Sequence, residues 1–207
     1  MLHTTFIELV SKYSNNNNQI ENLWNEITES YSGKYRYYHT LTHLDNLLLQ
    51  LAEIKSHITD WNTILFTLYY HDVVYNPERS DNEEQSAEIA AERMKQLSVP
   101  EAMIEQCRIQ ILATKTHNAD GNTDTNYFTD ADLSILGQDT ETYMVYSKNI
   151  RQEYSIYPDS VYYPGRTKVI EHFLAMNRIY KTDHFYTKLE QQARANLYSE
   201  LALLNEI

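Results

Sequence analysis

Apolar residues recur along most of this chain at intervals of three and four, which is the spacing of one face of an α-helix. The clearest example is a stripe of four leucines, Leu44, Leu47, Leu48 and Leu51. Alternation of apolar and polar residues, which would indicate strands, is nearly absent. The pattern therefore predicts an all-α fold, a helical bundle of about eight to ten helices.

Only four glycines and four prolines interrupt this pattern, and they help to set the predicted helix limits. Asp60 has the residue type of an N-cap, and Pro77 stops the following helix near Tyr75. The predicted helix 159–181 is either continuous or broken near Pro164-Gly165. The predicted helices cover about 2–13, 19–31, 39–51, 60–75, 84–97, 100–115, 129–137, 139–156, 159–181 and 183–206. Because no long linker separates them, residues 1–207 are expected to form a single domain.

Two groups of polar residues stand out against the apolar pattern. If the segment 38–43 is helical, His39 and His43 lie one turn apart on one face, roughly 6 Å along the axis. His71 and Asp72 fall within the apolar run 64–75, where a helix would be buried on nearly every side. Burying an unpaired charge costs several kcal/mol. We therefore expect a metal ion to compensate these residues.

Charge and composition restrict the binding partners and the cellular location that the sequence predicts. The net charge of −12 opposes stable binding to nucleic acid or to an anionic membrane surface. Cys107 is the single cysteine, so a disulfide framework is excluded. The chain also lacks a run of ~18 apolar residues and a secretory signal pattern at Met1. These features predict a cytoplasmic protein; they do not determine its oligomeric state.

Five motifs follow one another along the chain. They are Tyr-His-x-x-x-His from Tyr38, His-Asp-x-x-Tyr-Asn-Pro from His71, Asn-Glu-x-x-Ser-Ala from Asn82, Ala-Asp-Leu-x-Ile-Leu-Gly from Ala131 and Ala-Arg-x-Asn-Leu from Ala193. In this order they resemble the HD-domain superfamily of metal-dependent phosphohydrolases, and most closely a bacterial subgroup of about this length. The resemblance implies an HD-type helical domain with a metal-site core at about 35–140 and C-terminal helices, 141–207, packing on it.

The resemblance also implies roles for individual residues. The metal ligands it implies are His43, His71, Asp72 and Asp132. The pair Tyr38-His39 is in addition similar to the cyclic-nucleotide phosphodiesterases, in which the first histidine protonates the leaving group, so that His39 would be the general acid.

The residue types themselves restrict the metal. A mixed set of imidazoles and carboxylates suits Mn²⁺, Fe²⁺, Ni²⁺, Co²⁺ or Zn²⁺, whereas Mg²⁺ prefers oxygen alone. A second ion would need further ligands, with Asp72 bridging and His117 completing the other side. Asp130 competes with Asp132 for the last position, and the apolar positions that follow Asp132 favour the latter.

The expected activity is that of a divalent-metal-dependent phosphohydrolase, in which metal-activated water attacks phosphorus. Its substrate would be a small phosphate ester or anhydride, with a nucleotide as the expected class. Glu83 either closes a capping box or orients water. Arg36, Arg79 and Lys115 are candidate substrate-binding cations because they lie close to the ligand motifs. The alternative is a regulatory ligand-binding module with a structural metal site; specific substrate and reaction type lie beyond what the motifs define.

Overall fold

The computed structural model describes residues 1–206, and within them it contains ten α-helices and no strand, which confirms the all-α prediction. Two short 3₁₀ segments, Lys55–His57 and Leu133–Gly137, complete the regular structure. None of the described helices is both long and apolar enough to cross a membrane. The helices are α1 (Leu2–Val10), α2 (Asn17–Tyr31), α3 (Leu41–Glu53), α4 (Trp61–Tyr70), α5 (Asn82–Gln96), α6 (Glu101–Ala113), α7 (Thr123–Asp132), α8 (Thr140–Glu153), α9 (Asp159–Ala175) and α10 (Asp183–Leu204).

The chain forms two compact units, Met1–Thr129 and Asp130–Ile207. The division falls inside α7, so one continuous helix contributes to both units. The single domain with C-terminal helices packed on a metal-site core therefore stays a prediction.

Helix α4 is the centre of the first unit. It packs against α1, α3, α5 and α6, and every residue from Thr63 to Tyr70 is buried. Its start is fixed as predicted, because the Asp60 side chain accepts a hydrogen bond from the amide of Thr63 at 3.0 Å. Since α4 has no solvent-facing side beyond its first turn, an ionised side chain can be accommodated only where the helix ends.

That end comes earlier than the sequence predicts. Helix α4 stops at Tyr70, and His71 is its C-cap residue. The amide of Asp72 leaves the helical pattern and donates to the hydroxyl of Tyr31 at 3.2 Å. The predicted helix through His71-Asp72 to Tyr75 is therefore wrong, and the His-Asp pair lies in the turn that follows α4.

Helix α7 also begins earlier than predicted, at Thr123 and not at Thr129. The Asn122 side chain accepts from the amide of Thr125 at 3.1 Å, which caps the helix. The buried carboxylate of Asp124 then accepts from the amides of Thr59 and Asp60 at distances of 2.8 to 3.0 Å. These bonds anchor the first turn of α7 to the segment that precedes α4.

In the second unit, α10 packs against α9 and against the 3₁₀ segment Leu133–Gly137. Arg194 forms an ion pair with Glu190 at 2.7 Å, four residues earlier on α10. Glu190 also accepts a hydrogen bond from the amide of Ile179. Arg194 donates to the main-chain oxygens of Leu174, Met176 and Asn177. These bonds explain why α9 ends at Ala175 and not at 181 as predicted, although it does continue through Pro164.

The end of the Ala-Arg-x-Asn-Leu motif is structural as well. The Asn196 side-chain amide donates to the main-chain oxygens of Leu136 and Gln138 at 2.9 and 2.8 Å. A buried ion pair, Arg166 with Glu200 at 2.8 Å, links α9 to α10 nearby in the same unit. The last motif is therefore explained by the packing of the second unit.

Two glycines provide a test of this packing. A Cβ added at Gly137 would lie 2.5 Å from Leu189 Cβ and 2.8 Å from the Leu189 main-chain oxygen. We expect Gly137→Ala to lower the free energy of unfolding by about 1–3 kcal/mol, because the backbone of α10 cannot yield cheaply. The matched control is Gly165→Ala in α9, where a Cβ meets nothing within 4 Å.

That control should raise stability by roughly 0.5–1 kcal/mol, since alanine restricts the unfolded chain and favours a helix. Urea denaturation of both variants measures the difference. Equal stability of the two alanine variants would contradict the close contact between Gly137 and Leu189.

Candidate metal centre

Three imidazoles of the first unit surround one carboxylate oxygen. Oδ2 of Asp72 lies 3.1 Å from Nε2 of His71, and 3.9 Å from Nε2 of both His43 and His39. His43 and His71 are buried, whereas the side chains of His39 and Asp72 keep 18% and 19% of their exposure. The cluster thus has a buried pair of histidines and a side that remains accessible.

The position and protonation of the His71 ring are fixed by the end of α4. Its Nδ1 lies 3.0 Å from the main-chain oxygen of Leu68, which can only accept a hydrogen bond. Nδ1 therefore carries the proton in the neutral ring, and Nε2 presents a lone pair towards His43 and Asp72. A histidine that donates its other ring N–H to a backbone carbonyl is typical of metal sites.

The two buried histidines have the spacing expected of ligands to one ion. Their Nε2 atoms lie 3.2 Å apart. Metal–nitrogen distances of about 2.0–2.1 Å place neighbouring ligands about 3.0 Å apart in an octahedral site and about 3.4 Å apart in a tetrahedral one. The separation between His43 and His71 falls within this range, so both can bind the same ion without moving.

Asp132 supplies a third possible ligand. One ligand atom from each of His43, His71 and Asp132 lies within 4.8 Å of the other two, and within residues 1–206 this is the one group of three or more such side chains. Asp132 is the last residue of α7, one turn after Phe128, whose ring centroid is 5.5 Å from that of His71. These three residues could hold a metal ion, whereas Asp72, the fourth predicted ligand, is not a member of this group.

The competing aspartate has a different environment. Asp130 is fully buried, and its carboxylate accepts from the amides of Lys181 and Thr182 and from the Thr182 hydroxyl at 2.7 to 2.9 Å. Nζ of Lys181 lies 3.3 Å from the same carboxylate. The oxygens of Asp130 are thus used at the start of α10.

The charge on Asp72 depends on its neighbours. Burial alone would raise the pKa of this carboxyl, but the positive charges that His71, His39 and His43 can carry outweigh burial and hold the pKa well below its usual range. Asp72 is therefore an ionised carboxylate. A carboxylate binds a divalent cation in its ionised form, whereas an imidazole nitrogen binds one only without its proton, so an ion at this site would take the place of the positive charge on the histidines.

His39 reaches the cluster without belonging to a helix. Helix α3 starts at Leu41, so the prediction that His39 and His43 share one helical face is wrong. The His39 ring instead packs against that of Tyr75, with centroids 4.1 Å apart and an interplanar angle of 30°. This leaves Nε2 of His39 facing Asp72 from the accessible side of the cluster.

Glu83 occupies the first turn of α5, and it does not close the predicted capping box, because Asp81 and not Ser80 precedes the helix. Burial raises the pKa of the Glu83 carboxyl, and the charge of Asp72 raises it further, although Lys115 acts in the opposite direction. Its side chain remains 27% exposed.

The three cations predicted to bind substrate all have partners in the protein. Arg79 forms a bidentate ion pair with Asp81. Lys115 forms an ion pair with Glu84 and donates a hydrogen bond to the main-chain oxygen of Ser80. Arg36 donates to two main-chain carbonyls. His117, predicted as a ligand of a second ion, has a positive φ of 52° and is not a member of the ligand group.

Two tyrosines at the cluster were not singled out by the sequence. The hydroxyl of Tyr31 accepts from the amide of Asp72, and the ring of Tyr75 packs on His39. Tyr75 lies within the His-Asp-x-x-Tyr-Asn-Pro motif and could have been found there. Tyr31 has the residue type of an ordinary core position, so the sequence alone gives no indication of its role.

Comparison with family models, with curated proteins and with solved structures found no match to this chain. The resemblance to the HD-domain superfamily therefore rests on the sequence motifs alone.

Metal removal provides the direct test of the centre. We expect a chelator to lower the melting temperature of the protein, because an ion bound to the folded state alone stabilises it and the Asp72 carboxylate loses a compensating charge. Adding Mn²⁺ or Zn²⁺ should restore the melting temperature with one ion bound per chain. Thermal melting and metal analysis measure both quantities.

The variant His71→Ala should abolish this metal-dependent stabilisation. The matched control is His172→Ala, because His172 is an exposed histidine of α9 outside the ligand group. A melting temperature that does not respond to complete metal removal would contradict a buried metal centre, as would equal metal content in the two variants.

Proposed function

We propose that this protein is a divalent-metal-dependent phosphohydrolase of the HD-domain type, acting on a small phosphate ester or anhydride, with a nucleotide as the expected substrate class. The observation that carries the proposal is the convergence of three imidazole Nε2 atoms on the Asp72 carboxylate, with the His43 and His71 nitrogens only 3.2 Å apart. The order of the motifs that supply these residues supports the same assignment.

The donor set fits a divalent ion. His43 and His71 would hold it, with Asp72 and Asp132 as the further ligands that the motifs imply. Two imidazoles with carboxylates favour Mn²⁺, Fe²⁺, Ni²⁺, Co²⁺ or Zn²⁺ over Mg²⁺. Such an ion supplies Lewis acidity, which polarises a phosphoryl group and lowers the pKa of water.

The remaining chemistry belongs to side chains of the chain itself. Nε2 of His39 lies 3.9 Å from Oδ2 of Asp72, on the accessible side of the cluster. As the bond from phosphorus to the leaving oxygen breaks, the imidazolium of His39 donates its proton to that oxygen. Glu83, half-buried and with a raised pKa, is suited to accept a proton from the attacking water.

One observation favours the alternative of a regulatory module with a structural metal. Arg79 and Lys115 are already paired with carboxylates, and Arg36 is bound to main-chain oxygens. A substrate phosphate would have to displace Asp81 or Glu84 to use the first two cations. A non-catalytic metal site would make no such demand.

The two functions are separated by measuring metal content and then hydrolysis. Purified protein loaded with Mn²⁺ is incubated with a panel of nucleotides and phosphate esters. We expect hydrolysis of at least one class of compound, its loss with a chelator, and its loss in His71→Ala together with the metal. Stoichiometric metal without hydrolysis of any compound on the panel would reject the enzyme and favour the module.

The role of His39 makes a sharper prediction. His39→Ala should retain the fold and the metal but lower kcat by on the order of 10²-fold or more for a substrate with a poor leaving group. The loss should be much smaller for a p-nitrophenyl ester of the same class, because p-nitrophenolate leaves without a proton. Steady-state kinetics on the two substrates measure the difference, with His172→Ala as the control.

Equal losses on the two substrates would remove His39 from the acid role. Loss of the metal together with activity would do the same, since His39 would then act as a ligand or as part of the fold.

A further inference from the structure

Arg36 connects the two segments of chain that carry His39 and Asp72. Its Nη1 donates to the main-chain oxygen of His39 and its Nη2 to the main-chain oxygen of Val73, each at 3.0 Å. The first carbonyl belongs to the residue proposed as the general acid, and the second to the residue after Asp72. One planar side chain thus joins the loop before α3 to the turn after α4.

The guanidinium group of Arg36 also makes cation–π contacts with two tyrosine rings. Its central carbon lies 4.8 Å from the ring centroid of Tyr31 and 5.5 Å from that of Tyr75. Tyr31 in turn accepts the amide hydrogen bond of Asp72, and Tyr75 packs on the ring of His39. The aromatic contacts of Arg36 therefore lead to His39, which its hydrogen bonds also reach, and to Asp72, the residue before Val73.

Arg36 differs in this respect from the other two cations near the motifs. Arg79 and Lys115 are bound to carboxylates, whereas no aspartate or glutamate within residues 1–206 forms an ion pair with Arg36. Its directed interactions are with two carbonyl oxygens and two rings. This combination needs a flat group with donors at fixed angles, which lysine does not have.

We propose that Arg36 is a positioning residue that fixes the backbone of His39 relative to Asp72 and does not itself bind the substrate phosphate. This inference rests on the proposed function, because it assigns the effect of Arg36 to proton donation by His39. It also replaces the expectation from the sequence that Arg36 binds substrate.

A cycle of single and double variants tests the assignment. Arg36→Lys keeps the positive charge but loses the two-carbonyl geometry, so kcat should fall on the order of 10-fold or more on a poor leaving group. KM and the rate on the p-nitrophenyl ester should change little. In a His39→Ala background the same substitution should cause no further loss, since it acts through His39. Arg36→Ala should behave in the same way.

The matched control is Arg178→Lys. Arg178 also donates to a main-chain oxygen, that of Tyr180, and lies 3.9 Å from the ring centroid of Tyr186, but its partners belong to the second unit. The Arg178→Lys variant should leave the rates on both substrates, the one with a poor leaving group and the p-nitrophenyl ester, unchanged. A rise in KM with unchanged kcat in Arg36→Lys would overturn the proposal in favour of phosphate binding. Losses that are equal on both substrates and add to those of His39→Ala would overturn it in favour of a general structural role.

A second readout does not depend on activity. The ring of His39 lies 4.1 Å from that of Tyr75, so its imidazole proton resonances should be displaced by the ring current. Proton–carbon NMR of the histidine rings, assigned with His39→Ala, should show that displacement reduced or the resonance broadened in Arg36→Lys and unchanged in Arg178→Lys.

An unaltered His39 resonance in Arg36→Lys would overturn the proposal whether or not the protein hydrolyses a phosphate ester. An altered resonance in a protein that hydrolyses nothing on the panel would support the positioning of His39 by Arg36 while rejecting the proposed function.

Discussion

The burial of α4 on every side is the constraint from which the candidate site follows. A helix packed against four others cannot carry a charged residue along its length, because an unpaired buried charge would cost several kcal/mol. His71 and Asp72 come directly after the last buried residue, Tyr70, where the backbone turns out of the helix. The Asp72 carboxylate is thus placed where histidines from another segment can surround it.

A second group of contacts holds these residues in register. The main-chain oxygen of Leu68 fixes the ring of His71, and the hydroxyl of Tyr31 holds the amide of Asp72. Arg36 joins the carbonyls of His39 and Val73. A ligand set is useful only when its donor atoms are already oriented, and here that orientation comes mostly from main-chain groups at the ends of helices.

The sequence was sufficient for those features that depend on periodicity and residue type. The spacing of Leu44, Leu47, Leu48 and Leu51 predicted the buried face of α3, and the apolar run before His71 predicted a fully buried α4, as observed. The unusual position of a His-Asp pair within such a run was enough to suggest a metal.

Features that depend on contacts distant in sequence could not be predicted. The early end of α4 involves the Tyr31 hydroxyl, about forty residues away in the sequence, and the early start of α7 involves Asp124 binding the amides of Thr59 and Asp60. Arg36 was expected to bind phosphate because of its charge and its position close to the ligand motifs. Its observed hydrogen-bond partners are main-chain carbonyl oxygens. Because every residue has a carbonyl group, the sequence does not indicate which of them a side chain will bind.

The central claim is that His43 and His71 share one metal ion beside Asp72. The most direct measurement is anomalous diffraction at the absorption edge of a bound Mn or Zn ion in crystals of the metal-loaded protein. The account predicts one strong peak at about 2.0–2.3 Å from Nε2 of His43 and of His71. A metal-loaded crystal with no peak there, or with the ion bound elsewhere and the two Nε2 atoms still 3.2 Å apart, would contradict it.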